Sequence, residues 1–246
     1  MRGQRCRPRI RRIFLTIATY LPFSIITNAG NPLSNYVGDI SVWINFLPAP
    51  ILSVAFLDGY QQINVQVPWE GQRDPLYVEV FQGDTRAHTE DTAAANFSVF
   101  FIDAKGYAVA RHASDYSLVT AQNPAHPGEY VIVYGINLGP VSNTPASGAP
   151  SPFDPLARPL PFPGDCRRSD GIFVGAISVP LSFVGLAPGS LGVYQINFQV
   201  PPGTSGAVPL IYSRTRIVDV TGVCYSSGLG TESITDNSQP ALLPVE

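Results

Sequence analysis

The chain is short of charge. Only 13 % of its 246 residues are Asp, Glu, Lys or Arg, about half the share of an ordinary soluble domain, yet 45 % are apolar. That balance leaves material for a core and excludes both intrinsic disorder and a coiled coil. Histidine, cysteine and methionine are scarce as well, at three, three and one. No H-x-x-x-H or C-x-x-C spacing occurs, so no zinc motif is written in the sequence. A G-x-S-x-G elbow, a phosphate-cradling Gly loop and a recognisable carboxylate pair are missing too. No window holds an uninterrupted amphipathic helix of ten or more residues. What the chain has in quantity is 22 Gly and 24 Pro, punctuation that fits many short strands joined by turns.

Charge is unevenly placed. Arg2, Arg5, Arg7, Arg9, Arg11 and Arg12 crowd the start, and no acid precedes Asp39. Residues 13–26 are mostly apolar and lead into Thr27-Asn28-Ala29. A basic head, an apolar stretch and small residues at a cleavage site describe a secretory signal peptide over residues 1–29. At ~1.5 Å per residue this stretch spans about 21 Å as a helix, short of a ~30 Å hydrocarbon core. Export is therefore expected, to a secreted, periplasmic or cell-surface location, with no stable membrane span after cleavage. Arg11-Arg12-Ile13-Phe14-Leu15 also resembles a twin-arginine signal, with Ile10 where that pattern prefers Ser or Thr. Residues 30–246 carry 9 basic and 18 acidic groups, a formal −9; nucleic acid is not an expected partner.

The strongest internal signal is a repeat. Gln62-Ile63-Asn64-Val65-Gln66-Val67-Pro68 returns as Gln195-Ile196-Asn197-Phe198-Gln199-Val200-Pro201, six identities in seven, the mark of a duplicated unit. Pro50-Ile51-Leu52-Ser53 parallels Pro180-Leu181-Ser182-Phe183 upstream, and Pro75-Leu76-Tyr77 parallels Pro209-Leu210-Ile211 downstream. Period-two alternation puts Ile63, Val65 and Val67 on one strand face and Gln62, Asn64 and Gln66 on the other. Residues 43–46, 76–81, 97–102, 130–134, 172–179 and 208–212 read as further strands. An all-β chain of two immunoglobulin-like sandwich modules follows: module 1 over 30–104, a linking hairpin over 105–122, module 2 over 123–222, and a tail or last strand over 223–246. Module 1 is short by about forty residues at its N-terminal end, which predicts an uncovered sheet edge unless strands come from elsewhere. Residues 140–163, with eight prolines, read as an extended loop inside module 2.

Four stretches carry a family resemblance: Pro-Gly-Glu-Tyr-Val-Ile-Val-Tyr-Gly-Ile-Asn-Leu-Gly-Pro-Val at 127–141, Val-Pro-Leu-Ser-Phe-Val-Gly-Leu-Ala-Pro-Gly at 179–189, Val-Tyr-Gln-Ile-Asn-Phe-Gln-Val-Pro-Pro-Gly-Thr-Ser-Gly at 193–206, and Tyr-Gln-Gln-Ile-Asn-Val-Gln-Val-Pro-Trp-Glu at 60–70. Over about residues 45–215 the chain resembles an uncharacterised domain found at the C-terminus of large exported acidobacterial proteins, itself similar to the TIG/IPT immunoglobulin-like sandwich. The resemblance implies no catalytic residue and no cofactor. It also implies that Gly135 and Gly139 serve a tight turn.

Candidate sites are few. Cys166 and Cys224 are the two cysteines left once the signal and Cys6 are removed. An even count in an exported chain fits one disulfide, closing a loop for which chain entropy allows roughly 4 kcal/mol; two free or intermolecular thiols remain the alternative. His88, His112 and His126 read as surface or turn histidines. Asp84, His88, Glu90 and Asp91 lack the spaced oxygen pattern of a calcium loop and read as a hairpin tip. Asn96-Phe97-Ser98 matches a glycosylation sequon. The row Gln62, Asn64, Gln66 and its repeat Gln195, Asn197, Gln199 is the candidate polar binding face, where amides meet sugar hydroxyls or a partner strand, against a plainer reading in which they satisfy neighbouring backbone. Trp43, Trp69 and eleven Tyr are candidate stacking platforms. The expected function is non-catalytic, with no cofactor and no metal: adhesion, surface architecture or binding of a protein or polysaccharide partner. A carbohydrate-binding accessory module is the alternative and predicts exposed aromatics on one sheet face. An enzyme with a site assembled from distant residues is the third reading.

Overall fold

The sequence alternation becomes an alternation of burial in the computed structural model, which describes residues 14–19, 25–27, 30–57, 60–71, 76–91, 103–161, 165–219 and 231–246. Tyr194, Ile196 and Phe198 are fully buried while Gln195, Asn197 and Gln199 are not. Among the described residues the regular elements are antiparallel strands and one 3-10 turn, with no α-helix. The chain is all-β.

It divides into two compact units, Met1–Ala95 with Pro145–Pro150, and Asn96–Thr144 with Ser151–Glu246. The first contains β1 (Phe14–Thr19), β2 (Ile25–Thr27), β3 (Tyr36–Val37), β4 (Ile40–Ile44), β5 (Leu47–Pro48), β6 (Ile51–Leu57), β7 (Tyr60–Gln66), β8 (Leu76–Gln82) and β9 (Thr85–Asp91). They form sheets ordered β1-β7-β6-β2 and β3-β4-β8-β9, with β5 on β4. Both sheets feed one core: Ile51, Val54, Ile63 and Val65 from the first, and Ile40, Val42, Ile44, Leu76 and Val78 from the second. The run expected as a strand over 43–46 turns at Asn45 and Phe46, whose φ of 50° and 66° make a two-residue hairpin loop between β4 and β5.

The second unit contains β10 (Ala110–His112), β11 (Tyr130–Gly135), β12 (Asp165–Val174), β13 (Ile177–Val179), β14 (Leu181–Leu186), β15 (Tyr194–Gln199), β16 (Gly206–Asp219), β17 (Thr231–Asn237) and β18 (Ala241–Val245). Its sheets run β10-β11-β15-β14 and β13-β12-β16-β17, with β18 on β16. The segment expected to link the modules supplies β10, and the tail supplies β17 and β18, so both are sheet members here. The expected strand over 172–179 is a hairpin, because Gly175, at φ 63°, lets the chain reverse between β12 and β13.

The repeated motif sits in hairpins with the same register. Ile51 faces Val65 and Ser53 faces Asn64 across β6 and β7; Leu181 faces Phe198 and Phe183 faces Asn197 across β14 and β15. Each hairpin slips by one residue at the same place, leaving Leu52 and Ser182 as the extra residue of a bulge. The outer neighbour of each motif strand also matches. β1 sets Leu15 opposite Val65 and Ile17 opposite Ile63, as β11 sets Val131 opposite Phe198 and Val133 opposite Ile196. The edge expected to lie uncovered in the first module is thus paired with residues 14–19, from the segment read as a signal.

Residues 145–150, expected inside the second module, belong with the first unit. Gly148 N–H donates to Gln66 Oε1 at 2.7 Å and its carbonyl accepts from Leu33 N–H at 2.9 Å. A Cβ at Gly148, where φ is 83°, would stand 3.1 Å from the Leu33 carbonyl oxygen and 3.2 Å from Pro50, so this close crossing requires glycine.

Candidate functional site

The motif strands hold the same amide pair twice. Gln62 Nε2 donates to Asn64 Oδ1 at 2.8 Å, and Gln195 Nε2 donates to Asn197 Oδ1 at 2.9 Å. Period two places each pair on the outer face of its sheet, half-buried. The third members keep the parity of their rows but differ in environment. Gln66 is buried because the 145–150 segment covers it. Gln199 is exposed and donates to the Gly128 carbonyl at 2.8 Å.

The surroundings of the two pairs differ in one respect that matters chemically. In the first unit Asn64 Nδ2 donates to Ser53 Oγ at 3.0 Å, and Gln62 registers opposite Ala18 of β1. In the second, Phe183 occupies the station of Ser53 and Tyr134 that of Ala18. Asn197 Nδ2 and Gln195 Oε1 make no hydrogen bond to a described residue there, so one donor and one acceptor face outward between two aromatic rings. Around them opens a groove of about 680 Å³ lined also by Tyr116 and Phe153, with no charged side chain in its wall.

The two outer residues have distinct backbone surroundings. Tyr116 is 60 % exposed and sits at φ 61°, a conformation that costs a bulky residue of order 1 kcal/mol or more; Arg111 Nη1 donates to its carbonyl at 2.6 Å. Phe153 is 75 % exposed and lies on Gly189, where a Cβ would stand 2.9 Å from the ring. Arg158 carries its guanidinium 5.0 Å from the Phe183 ring centroid, bracing that ring by a cation–π contact. Burial raises the Tyr134 hydroxyl pKa, with Arg111 pulling it partly back; it stays a neutral donor and acceptor in the neutral range. Of the tryptophans considered as platforms, Trp69 is buried and Trp43 half-buried; neither lines the groove.

Elsewhere, the charged groups of the second unit are turned on one another. Arg168 Nε and Nη2 chelate Asp170 at 2.8–2.9 Å, and the Tyr212 hydroxyl donates to Asp170. Arg214 Nη2 and Arg216 Nε meet Asp236 at 3.0 and 3.2 Å, and Arg216 Nη1 meets Asp165 at 3.2 Å. Burial drives the Tyr212 pKa well above its ordinary value, reinforced by Asp170. Burial opposes the Arg168 charge, but Tyr212 and Asp170 outweigh it and the net shift is upward. For Arg214 burial wins, aided by Arg168 and Arg216, and its pKa falls. The network escaped the sequence reading, although its parity was visible: Arg214 and Arg216 continue the buried series Leu210, Tyr212 at steps of two.

His112, expected at the surface, is buried, with Nδ1 2.9 Å from Glu129 Oε1 and Nε2 3.0 Å from Asn123 Nδ2. His126 pairs with Glu246. Of the four residues expected at a hairpin tip only Asp84 is in the turn; His88, Glu90 and Asp91 lie along β9, opposite Glu79, Tyr77 and Leu76, and the His88 ring is 6.1 Å from that of Tyr77. Among the described residues no group of three or more His, Cys, Asp or Glu is placed to hold a metal. Gly139 has φ 100°, as its turn requires, and accepts the buried Tyr194 hydroxyl; Gly135 ends β11 without a positive φ. Cys166 is disulfide-bonded. Cys6, Cys224, the sequon at Asn96 and the 97–102 stretch lie outside the described residues.

No family model matches the chain, and comparison with curated proteins and with solved structures gave no match.

Proposed function

We propose that this is an exported, non-catalytic β-sandwich protein that binds a partner at or beyond the cell surface, and that the outer face of the β10-β11-β15-β14 sheet is its binding surface. The observation that carries this reading is the groove over Gln195 and Asn197, where rings and uncommitted amide groups gather on a sheet while Arg168, Arg214 and Arg216 pair with Asp170, Asp236 and Asp165 away from it. Binding sites of this kind combine apolar walls with a few placed polar groups. The proposal reads the two units as copies of one duplicated module, supported by the shared bulge and register, of which the second carries the binding decoration. The arginine-rich start and apolar run of residues 1–26 support export. Cys224 is the proposed disulfide partner of Cys166, because it follows by five residues in sequence the end of β16 at Asp219, where Val218 pairs with Asp165 next to Cys166.

The reading is tested by following the protein in the cells that make it. The full chain is expected outside the cytoplasm and retained on envelope or extracellular material, and a Tyr116→Ala, Phe153→Ala double variant is expected to be released. A cytoplasmic location, or equal retention of the variant, overturns the proposal.

A further inference from the structure

We infer that the groove of the second unit takes a segment of an uncharged polysaccharide. This rests on the binding-surface reading above and adds the chemical class of the ligand.

Neutrality comes first. The wall contains no carboxylate, ammonium or guanidinium group, so it offers no counter-charge to a uronate, a sulfate or an amino sugar. Two guanidinium groups border the wall and both are engaged, Arg158 on the Phe183 ring and Arg111 on the Tyr116 carbonyl.

The polar groups then select among neutral ligands. A sugar hydroxyl both donates and accepts, and two on adjacent carbons present that pair at short spacing. Gln195 Oε1 and Asn197 Nδ2 offer the complementary acceptor and donor side by side, fixed by the Gln195–Asn197 bond of 2.9 Å. A peptide adding as a strand would need free main-chain groups instead. β15 lies between β11 and β14, and its main chain is committed to both, so only its side chains are on offer.

The rings supply the remaining contact. The C–H faces of a pyranose lie flat against aromatic rings, which contribute apolar area at low entropic cost. Tyr116 and Phe153 are 60 % and 75 % exposed; Arg111 holds the Tyr116 carbonyl, and the Phe153 ring lies on Gly189. Two rings gathered in solvent-facing positions over one groove are of no use to an isolated soluble domain and useful for a ligand that stacks. The groove is a solvent-open cleft and not an enclosed cavity, which leaves a polymer free to run beyond it. The first unit shows the same scaffold without these features: Ser53 stands in place of Phe183 and consumes the amide donor.

The test is affinity electrophoresis of the full chain through gels containing xyloglucan, galactomannan or dextran as neutral polymers, alginate as an acidic one and chitosan as a cationic one, alongside titration with a soluble proline-rich peptide. Phe183→Ser installs the residue that the first unit carries at that station, and Phe153→Ala alters an exposed ring, so at least one variant keeps the fold. At least one neutral polymer is expected to retard the wild-type chain, with affinity falling about tenfold in each variant, the upper range for loss of one aromatic contact. Retardation by alginate or chitosan alone, or a response to the peptide alone, if lost in the variants, overturns the ligand class and leaves the binding surface standing. Retardation by a neutral polymer that both variants retain overturns the groove as the site. No response to any of these probes overturns both readings.

Discussion

Arg214 and Asp236 face each other across β16 and β17, 3.0 Å apart between Nη2 and Oδ2, at the station where the first unit pairs Val80 with Ala87 across β8 and β9. The same correspondence sets Arg168 and Asp170 against Ile40 and Val42. One sheet position is therefore aliphatic in one unit and ionic in the other. Asp236→Asn takes away the carboxylate that Arg214 and Arg216 share, leaving Arg216 with Asp165, and is expected to cost about 3 kcal/mol. Replacing the pair together, Arg214→Val with Asp236→Ala, is expected to cost less than the single change. Urea midpoints of the three proteins decide this, and a double variant weaker than the single one would sink the idea that the aliphatic pair fits here.

Tyr194 is wholly buried and its pKa is pushed far up by desolvation, as is that of Tyr212. Folded pKa values above the unfolded value mean stability that is full below about pH 10 and lost as pH rises past it, because only the unfolded chain releases these protons. Each tyrosine contributes a slope of up to about 1.4 kcal/mol per pH unit there. Tyr194→Phe is expected to lose roughly 1 kcal/mol at neutral pH with the bond to Gly139, but to fall less steeply between about pH 10 and 11. Denaturant midpoints at the two pH values provide the comparison; parallel slopes would contradict it.

Phe46 occupies the second left-handed position of the β4–β5 turn, where Gly is preferred. Its ring is 69 % exposed and stands 5.5 Å from that of Tyr77. Phe46→Gly is expected to stabilise the first unit by about 0.5–1 kcal/mol, relief of a strained φ outweighing one exposed ring contact. A lower melting temperature would show that the ring contact dominates.

Gln66 and Gln199 are the same residue of the repeat in different surroundings. Gln66→Ala deprives the buried Gly148 N–H of its acceptor and is expected to cost about 1–3 kcal/mol. Gln199→Ala, at an exposed position, is expected to stay within about 0.5 kcal/mol of wild type. Equal costs in chemical denaturation would contradict the assigned environments.

A chain beginning at Gly30 lacks both β1 and β2, the outer strands of the β1-β7-β6-β2 sheet. Amides of β7 that pair with β1 are expected to exchange with solvent faster in that chain than in one beginning at Met1. Hydrogen exchange read residue by residue over 60–66 gives the answer, and unchanged protection would mean that β1 contributes nothing to this sheet.

Much of the fold was legible because period-two alternation is local. Tyr194 to Gln199 announces its buried face from six residues, and the repeat locates its counterpart. The binding groove was only half legible. Gln195 and Asn197 stand out in the sequence, whereas Tyr134 and Phe183 become their neighbours only through strand register, and Phe153 through a loop. Arg214 and Arg216 were not legible for another reason: charge argues for solvent, and only the parity they share with Leu210 and Tyr212 argues for the interior. Residues 14–19 and 145–150 carry sequence patterns of a signal and of a proline-rich loop, and nothing local says that either completes the first unit.

The placement of residues 145–150 has a consequence for the order of events during synthesis. As the chain emerges from its N-terminus, the segment that accepts from Leu33 and donates to Gln66 arrives only after β10 and β11 of the other unit have appeared. The N-terminal unit cannot finish first, contrary to the usual sequence in tandem domains. No single cut in the polypeptide yields two self-sufficient halves, and the loop closures involved favour slow, late assembly.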